Sequence, residues 1–202
     1  MTYCRSSAHS WSAAAIALPL ITLVQPALSD PLHKVGQAEA WQHEQSGWIF
    51  PKQVAEFERM LPPYEIDGTY DVGAEYEHVE KSGRTRATVH VYAKDSAAAE
   101  ANFGAAKQKP RFGAAESHAH ALAEEPCSIE VAVEVRCRKV TYVSDTDAEH
   151  SQLYFVESND WIVNVRTTTT GNPAHTSALT DRFVSELNWN KLGTVPDLHA
   201  AR

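Results

Sequence analysis

The sequence predicts an α+β fold: a mainly antiparallel sheet of about five or six strands with helices packed on it, in the order β-β-α-β-β-β-α. Three observations carry this. Residues 84–93 alternate, with Ala87, Val89, Val91 and Ala93 on one side and Thr88, His90 and Tyr92 on the other, the period of a half-buried strand. Residues 127–137 alternate over a longer run, with Cys127, Ile129, Val131, Val133, Val135 and Cys137 set against Ser128, Glu130, Ala132, Glu134 and Arg136. Short polar connections join neighbouring strands, which demands antiparallel pairing.

The elements follow in order. Residues 46–51, Ser-Gly-Trp-Ile-Phe-Pro, read as a short buried extended piece. Val54, Phe57 and Met60 at spacings of three suggest a helical face over 52–60, stopped by Leu61-Pro62-Pro63. Residues 70–79 and 84–93 form a hairpin. Asp95-Ser96 can cap an alanine-rich helix over 97–107. A second helical piece is expected over 113–125, ended by Pro126, and then the long strand from Cys127 towards Val143. Residues 152–156 and 161–169 are strands around a tight turn at Ser158-Asn159-Asp160. The last helix spans 176–188, with Leu179, Phe183 and Leu187 on one face.

The first 29 residues have the organisation of a secretory signal peptide. Arg5 is the only charge before Asp30, residues 13–24 are almost wholly apolar, and Ala27-Leu28-Ser29 is a small-residue site. Cleavage is expected near Ser29-Asp30, with a secreted or periplasmic destination. A membrane span needs about 20 apolar residues, so no stable membrane insertion is expected after the leader is removed. Residues 30–45 contain few apolar side chains and are expected to be flexible. Residues 46–190 make a single α+β domain, and 191–202 a tail.

The chain carries 18 Lys and Arg against 26 Asp and Glu. The leader holds one basic and no acidic residue, so its removal leaves an acidic body that repels nucleic acid and anionic lipid. The expected partner is therefore a small molecule or a protein of unknown identity, with no nucleic acid.

Chemical candidates divide against plainer readings. Cys127 and Cys137 belong to an exported chain, where paired cysteines oxidise. A straight strand would hold them about 33 Å apart, beyond the reach of a disulfide. Bonding needs a reversal near Val131-Ala132-Val133, with Glu130 set opposite Glu134. Two buried thiols are the competing reading. His118 and His120 do not face one another on a helix. Glu116, His120 and Glu124 share a stripe, but a solvated helix face accounts for it, so no metal site and no cofactor are assigned. Asp145-Thr146-Asp147-Ala148-Glu149 starts like a calcium loop, yet His150 and Val156 stand where such a loop needs Gly and Glu. The run from Arg166 to Thr170 reads as a strand end, threonine being a strand former. Trp48, Trp161 and Trp189 read as core. Thr88, His90 and Tyr92 are the binding candidates: if helices cover only the other face of their strand, these three line a groove. No catalytic residue is assigned.

Ser46-Gly47-Trp48-Ile49-Phe50-Pro51, Ala87-Thr88-Val89-His90-Val91-Tyr92, residues 161–166 and the terminal helix before Trp189 resemble a group of uncharacterised bacterial exported proteins. The element order over about residues 46–190 resembles the PsbP-like α/β/α sandwiches. The resemblance implies a ligand- or protein-binding accessory domain and no catalytic residues. The leading expectation is thus an exported, non-catalytic binding or accessory protein. The alternative is a small secreted hydrolase or metal-handling protein whose site gathers dispersed histidines and carboxylates. Whether His78, His90, His118, His120, His150 and His175 converge separates the two.

Overall fold

Strand pairing begins at β8 (Gly83–Ala93), whose Ala87, Val89 and Val91 are buried while Thr88, His90 and Tyr92 are half-buried on the other face. It turns back on β7 (Val72–Glu80). Its free edge takes β12 (Trp161–Thr170) in antiparallel register, from Trp161 opposite Ala93 to Thr170 opposite Arg84. Beyond β12 follow β11 (Glu149–Glu157), β10 (Arg136–Ser144) and β9 (Ala119–Cys127). Short strands β4 (Gln53–Val54), β5 (Phe57–Arg59) and β6 (Tyr64–Glu65) extend the sheet past β7. A separate antiparallel sheet holds β1 (Leu32–Val35), β2 (Ala40–His43) and β3 (Ile49–Phe50). The helices are α1 (Ala99–Lys107) and α2 (Pro173–Glu186), followed by a 3-10 turn at Trp189–Lys191.

This computed structural model describes residues 31–36, 39–66, 71–81, 83–94, 99–107, 119–130, 134–144, 149–158, 160–170 and 173–192. The expected leader (1–29), the calcium-like string at 145–148 and the tail beyond 192 lie outside the described residues.

The expected α+β class is corrected. The described residues form a mostly β protein of twelve strands, nine of them in one sheet, with two short helices. Three stretches account for the change. Residues 32–43, expected to be loose, form the β1–β2 hairpin, and Leu32 and His43 are buried. Residues 52–60, expected as a helix, form β4 and β5, placing Val54 and Phe57 in the core. Residues 119–125, expected as part of a helix, belong to β9, which forms because it finds eight backbone partners on β10. Tertiary pairing overrides alanine's helical preference. Pro126 is tolerated there because β9 is an edge strand.

The expected long strand over 127–137 is also corrected. The chain reverses between Cys127 and Cys137, which sit opposite one another at the base of the β9–β10 hairpin. A disulfide joins them, with Cα atoms 5.0 Å apart. Ile129 and Val135 pack on the same core, so both arms of the reversal present alternate residues to it. Residues 131–133 lie outside the described residues.

The large sheet is packed on both faces. One face carries α2 and the small sheet. Phe183 of α2 meets Phe57 at 4.5 Å and Tyr76 at 5.3 Å between ring centroids, and Trp48 meets Trp189 at 5.1 Å. Trp48, Trp161 and Trp189 are all buried, as large aromatics in a core should be. The other face carries α1, whose Phe103 packs over Phe155 at 5.0 Å, with Val140, Leu153 and Ile162 beneath. Arg138 stacks its guanidinium 3.6 Å from the Phe103 ring centroid. β11 is buried along its centre because it lies between the two helices.

His78 ties β7 to the β4–β5 turn. In the protonated ring Nδ1 donates to the Glu56 carbonyl at 3.0 Å and Nε2 to the Glu80 carboxylate at 2.8 Å. Burial works against charge here, but the Glu80 hydrogen bond, the Glu56 carbonyl and both carboxylates prevail and raise its pKa above the ordinary value.

Replacing both Cys127 and Cys137 by Ser is expected to cost about 2–3 kcal/mol, since the bridge closes a short loop. The check is a lower urea midpoint with little change in slope. A raised folded pKa means that the stabilisation from His78 is complete below its unfolded value of about 6.5 and is lost as pH rises through the folded value. The stability gap between the wild type and His78→Gln is therefore expected to be wider at pH about 5.5 than at pH about 8.5, measured by urea unfolding at each.

Candidate ligand-binding cleft

The face that carries α1 is divided. Over β10 and β11 it is apolar and covered, by Phe103 and its neighbours. Towards β12, β8 and β7 the same face turns polar, because the alternating positions there are Asn164 and Arg166, then Thr88 and His90, then Gly73 and Glu75. Backbone register sets these in two rows: Arg166, Thr88 and Glu75 in one, Asn164, His90 and Gly73 in the next.

α1 does not reach across this polar half. Two adjoining clefts remain. The larger, about 720 Å³, lies along Thr88 and is walled by Met60 and Tyr64 of the segment before β7. The smaller, about 500 Å³, lies between Tyr92 and the α1 residues Asn102 and Ala106. His90 and Arg166 line both. Volumes of this size suit small organic molecules.

Of the residues expected from the sequence, Thr88 lines the larger cleft, Tyr92 the smaller and His90 both. The expected condition for a groove, helices on the opposite face alone, is corrected: α1 sits on the His90 face, and the groove exists because that helix is short. Sequence reasoning assigned Arg166 to a strand end and missed its place in the clefts. The signal was available in Ile162, Asn164 and Arg166, which alternate with Trp161, Val163 and Val165.

His90 is held by its neighbours. Tyr64 Oη lies 3.4 Å from its Nε2, with the rings edge to face at 81°. Gly73 stands opposite, and a Cβ there would come within 2.7 Å of His90 Cδ2 and 3.1 Å of the Tyr64 ring. The absent side chain is what admits both rings. Burial lowers the pKa of His90, and the positive charge of Arg166 lowers it further, so the imidazole is neutral at pH 7. Burial and the nearby Glu75 raise the Tyr64 phenol.

Arg166 donates from Nη2 to the Ala106 carbonyl at the end of α1, and its guanidinium lies 5.7 Å from the Tyr142 ring centroid. Tyr142 Oη donates to the next carbonyl, that of Lys107, at 3.1 Å. These contacts dock the C-terminal turn of α1, where a cation is favoured. At the larger cleft's rim Glu77 accepts from Arg86 at 3.1 Å and pairs with Arg84 at 3.3 Å.

The other histidines stay apart. His78 is on β7 beside Phe57, and His150 stands opposite Thr169 in the β11–β12 ladder. His118 lies outside the described residues, as do the side chains of His120 and His175 and all of Glu116. Glu124, on β9, is ion-paired with Lys107. Among the described residues no three His, Cys, Asp or Glu side chains are placed to hold a metal ion. An imidazole and a serine do meet at His43 and Ser46, 2.7 Å apart, but both are fully buried. Ser46 Oγ also accepts from the Trp48 amide at 3.1 Å, so the pair serves a turn that no substrate reaches.

The sequence matches no known protein family and no curated protein.

Gly73→Ala is expected to leave the fold intact while displacing the His90 imidazole. The check is a shift of the His90 ring resonances in a two-dimensional NMR spectrum, with the amides of the α2 face unmoved.

Proposed function

We propose that the chain is an exported, non-catalytic binding domain that holds a small molecule in the joined clefts around His90. One observation carries this reading: among the described residues two clefts open on the polar side of the sheet, and His90 and Arg166 line both. The groups there are donors, acceptors and charges without a nucleophile–base pair, the equipment of recognition. The leader-like first 29 residues support export, with cleavage near Ser29-Asp30 into the periplasm or medium. The acidic composition argues against nucleic acid. No helix among the described residues is long and apolar enough to cross a membrane.

The test uses the chain from Asp30 onward, disulfide intact, with fractionated small-molecule extract from its native compartment. A fraction holding the ligand is expected to raise the melting temperature, by mass action on the folded state. Thr88→Trp, which fills the larger cleft, is expected to melt normally and to lose that response. An equal response in the variant would place binding elsewhere, and none in the wild type with any fraction would remove the reading.

A further inference from the structure

The charges of the larger cleft are unevenly committed. Arg84 and Arg86 are both taken by Glu77. Arg166 is not taken. Its Nη1 is buried with no hydrogen-bond partner, its Nη2 meets only a neutral carbonyl, and among the described residues no carboxylate forms an ion pair with it. Burial lowers its pKa, the mark of a guanidinium deprived of water. Arg166 is half-buried; a partly desolvated cation without a counter-charge is favourably met by an anion, and a ligand is one source of that charge.

The two carboxylates that line this cleft, Glu75 and Glu149, are set back from Arg166. Glu75 shares Arg166's row but lies two strands away, about 10 Å between backbone positions. Glu149 stands opposite Thr170, about 13 Å further along β12. Neither forms an ion pair among the described residues. The cleft thus has an unpaired cation on its floor and both signs at its margins, where Glu75 and Glu149 stand with the Arg84 and Arg86 that share Glu77, an arrangement that accepts one negative charge beside Arg166. Its wall is formed by the Met60 side chain and the Tyr64 ring, which are 43% and 39% exposed.

Resting on the binding reading above, we propose that the ligand is a monocarboxylate with an aromatic or aliphatic body. Its carboxylate sits beside Arg166 and His90, and its body lies against Met60 and Tyr64. A guanidinium matches a planar carboxylate with two donors, and the Thr88 and Thr168 hydroxyls along the floor can donate as well. His90 acts as the sensor of occupancy. The charged and titratable groups around it are Arg166 from β12, Tyr64 from β6, Glu75 and Asp71 from β7 and its approach, and Tyr92 on its own strand. The α1 residues of the smaller cleft, Asn102, Ala105 and Ala106, carry no charge. Burial is the larger influence lowering the His90 pKa and the Arg166 charge adds to it; an anion beside Arg166 offsets that second influence, so binding favours proton uptake at His90.

The experiment titrates the chain from Asp30 onward with benzoate, benzamide and inorganic phosphate while following the His90 imidazole by NMR from pH about 5 to 8. Benzoate is expected to raise the His90 pKa by about one unit; benzamide is expected to leave it in place. Phosphate, largely dianionic near pH 8, is expected to bind more weakly than benzoate there. Arg166→Met should abolish the benzoate response. Because that variant also loses the α1 contact, Glu75→Gln provides a second reading, with benzoate affinity expected to rise about two- to fivefold. Equal responses to benzoate and benzamide, or an affinity unmoved by Glu75→Gln, would overturn the carboxylate assignment and leave the binding reading standing. No perturbation of Thr88, His90 or Tyr92 by benzoate would likewise overturn the carboxylate assignment, whereas the binding reading is decided by the extract screen above.

Discussion

The ladder between β8 and β12 is the constraint on which the molecule depends. It joins the two halves of the chain over the whole length of both strands. Its odd-numbered residues, Val89 and Val91 with Val163 and Val165, form the floor beneath α2. Its even-numbered residues, Thr88 and His90 with Asn164 and Arg166, form the floor of the clefts. A slip of one residue would exchange the two sets, burying an arginine under α2 and exposing valines to solvent. The apolar face therefore holds the register, and the register places the polar face. A site built this way owes its geometry to packing on the opposite side of the sheet.

Much of this was legible because period-two alternation survives wherever one face is apolar. The strand around His90 and the strand after Trp161 are both readable from their side chains alone. The same signal misleads over residues 127–137. The reversal sets Cys127 opposite Cys137, and Ile129 and Val135 both pack on the core, so inward positions remain inward on both arms. Alternation cannot tell such a hairpin from a straight strand, since both keep the parity of every residue. The cysteines were the discriminating feature, because their bond is compatible with only one of the two. β9 was hidden for a different reason: it is an edge strand whose side chains from Ala121 to Pro126 are exposed, so no buried face imposes a period upon it. The short strands β4 to β6 contain two or three residues each, too few to show any period.

The site was half visible. Thr88, His90 and Tyr92 stand out as polar positions alternating with Ala87, Val89, Val91 and Ala93. Whether they meet a solvent-filled space depends on the length of α1 and where it lies, which are tertiary facts. Arg166 was disguised by the threonines that follow it, whose strand preference gave a sufficient account of the run. Tyr64 follows two prolines, in a segment whose own pattern points to nothing beyond a turn. Its relation to His90 rests on Gly73, a residue whose contribution is the volume it leaves empty.

The β8–β12 pairing also bears on how the chain matures. Its partners are separated by 68 to 86 positions, so neither can find the other until most of the polypeptide is available. Up to that moment β8 offers an apolar, unpaired border that belongs in the middle of the finished sheet. Closure of the whole architecture consequently waits on a late segment, and a polypeptide still lacking residues 161–170 has an open seam where the finished sheet has its centre.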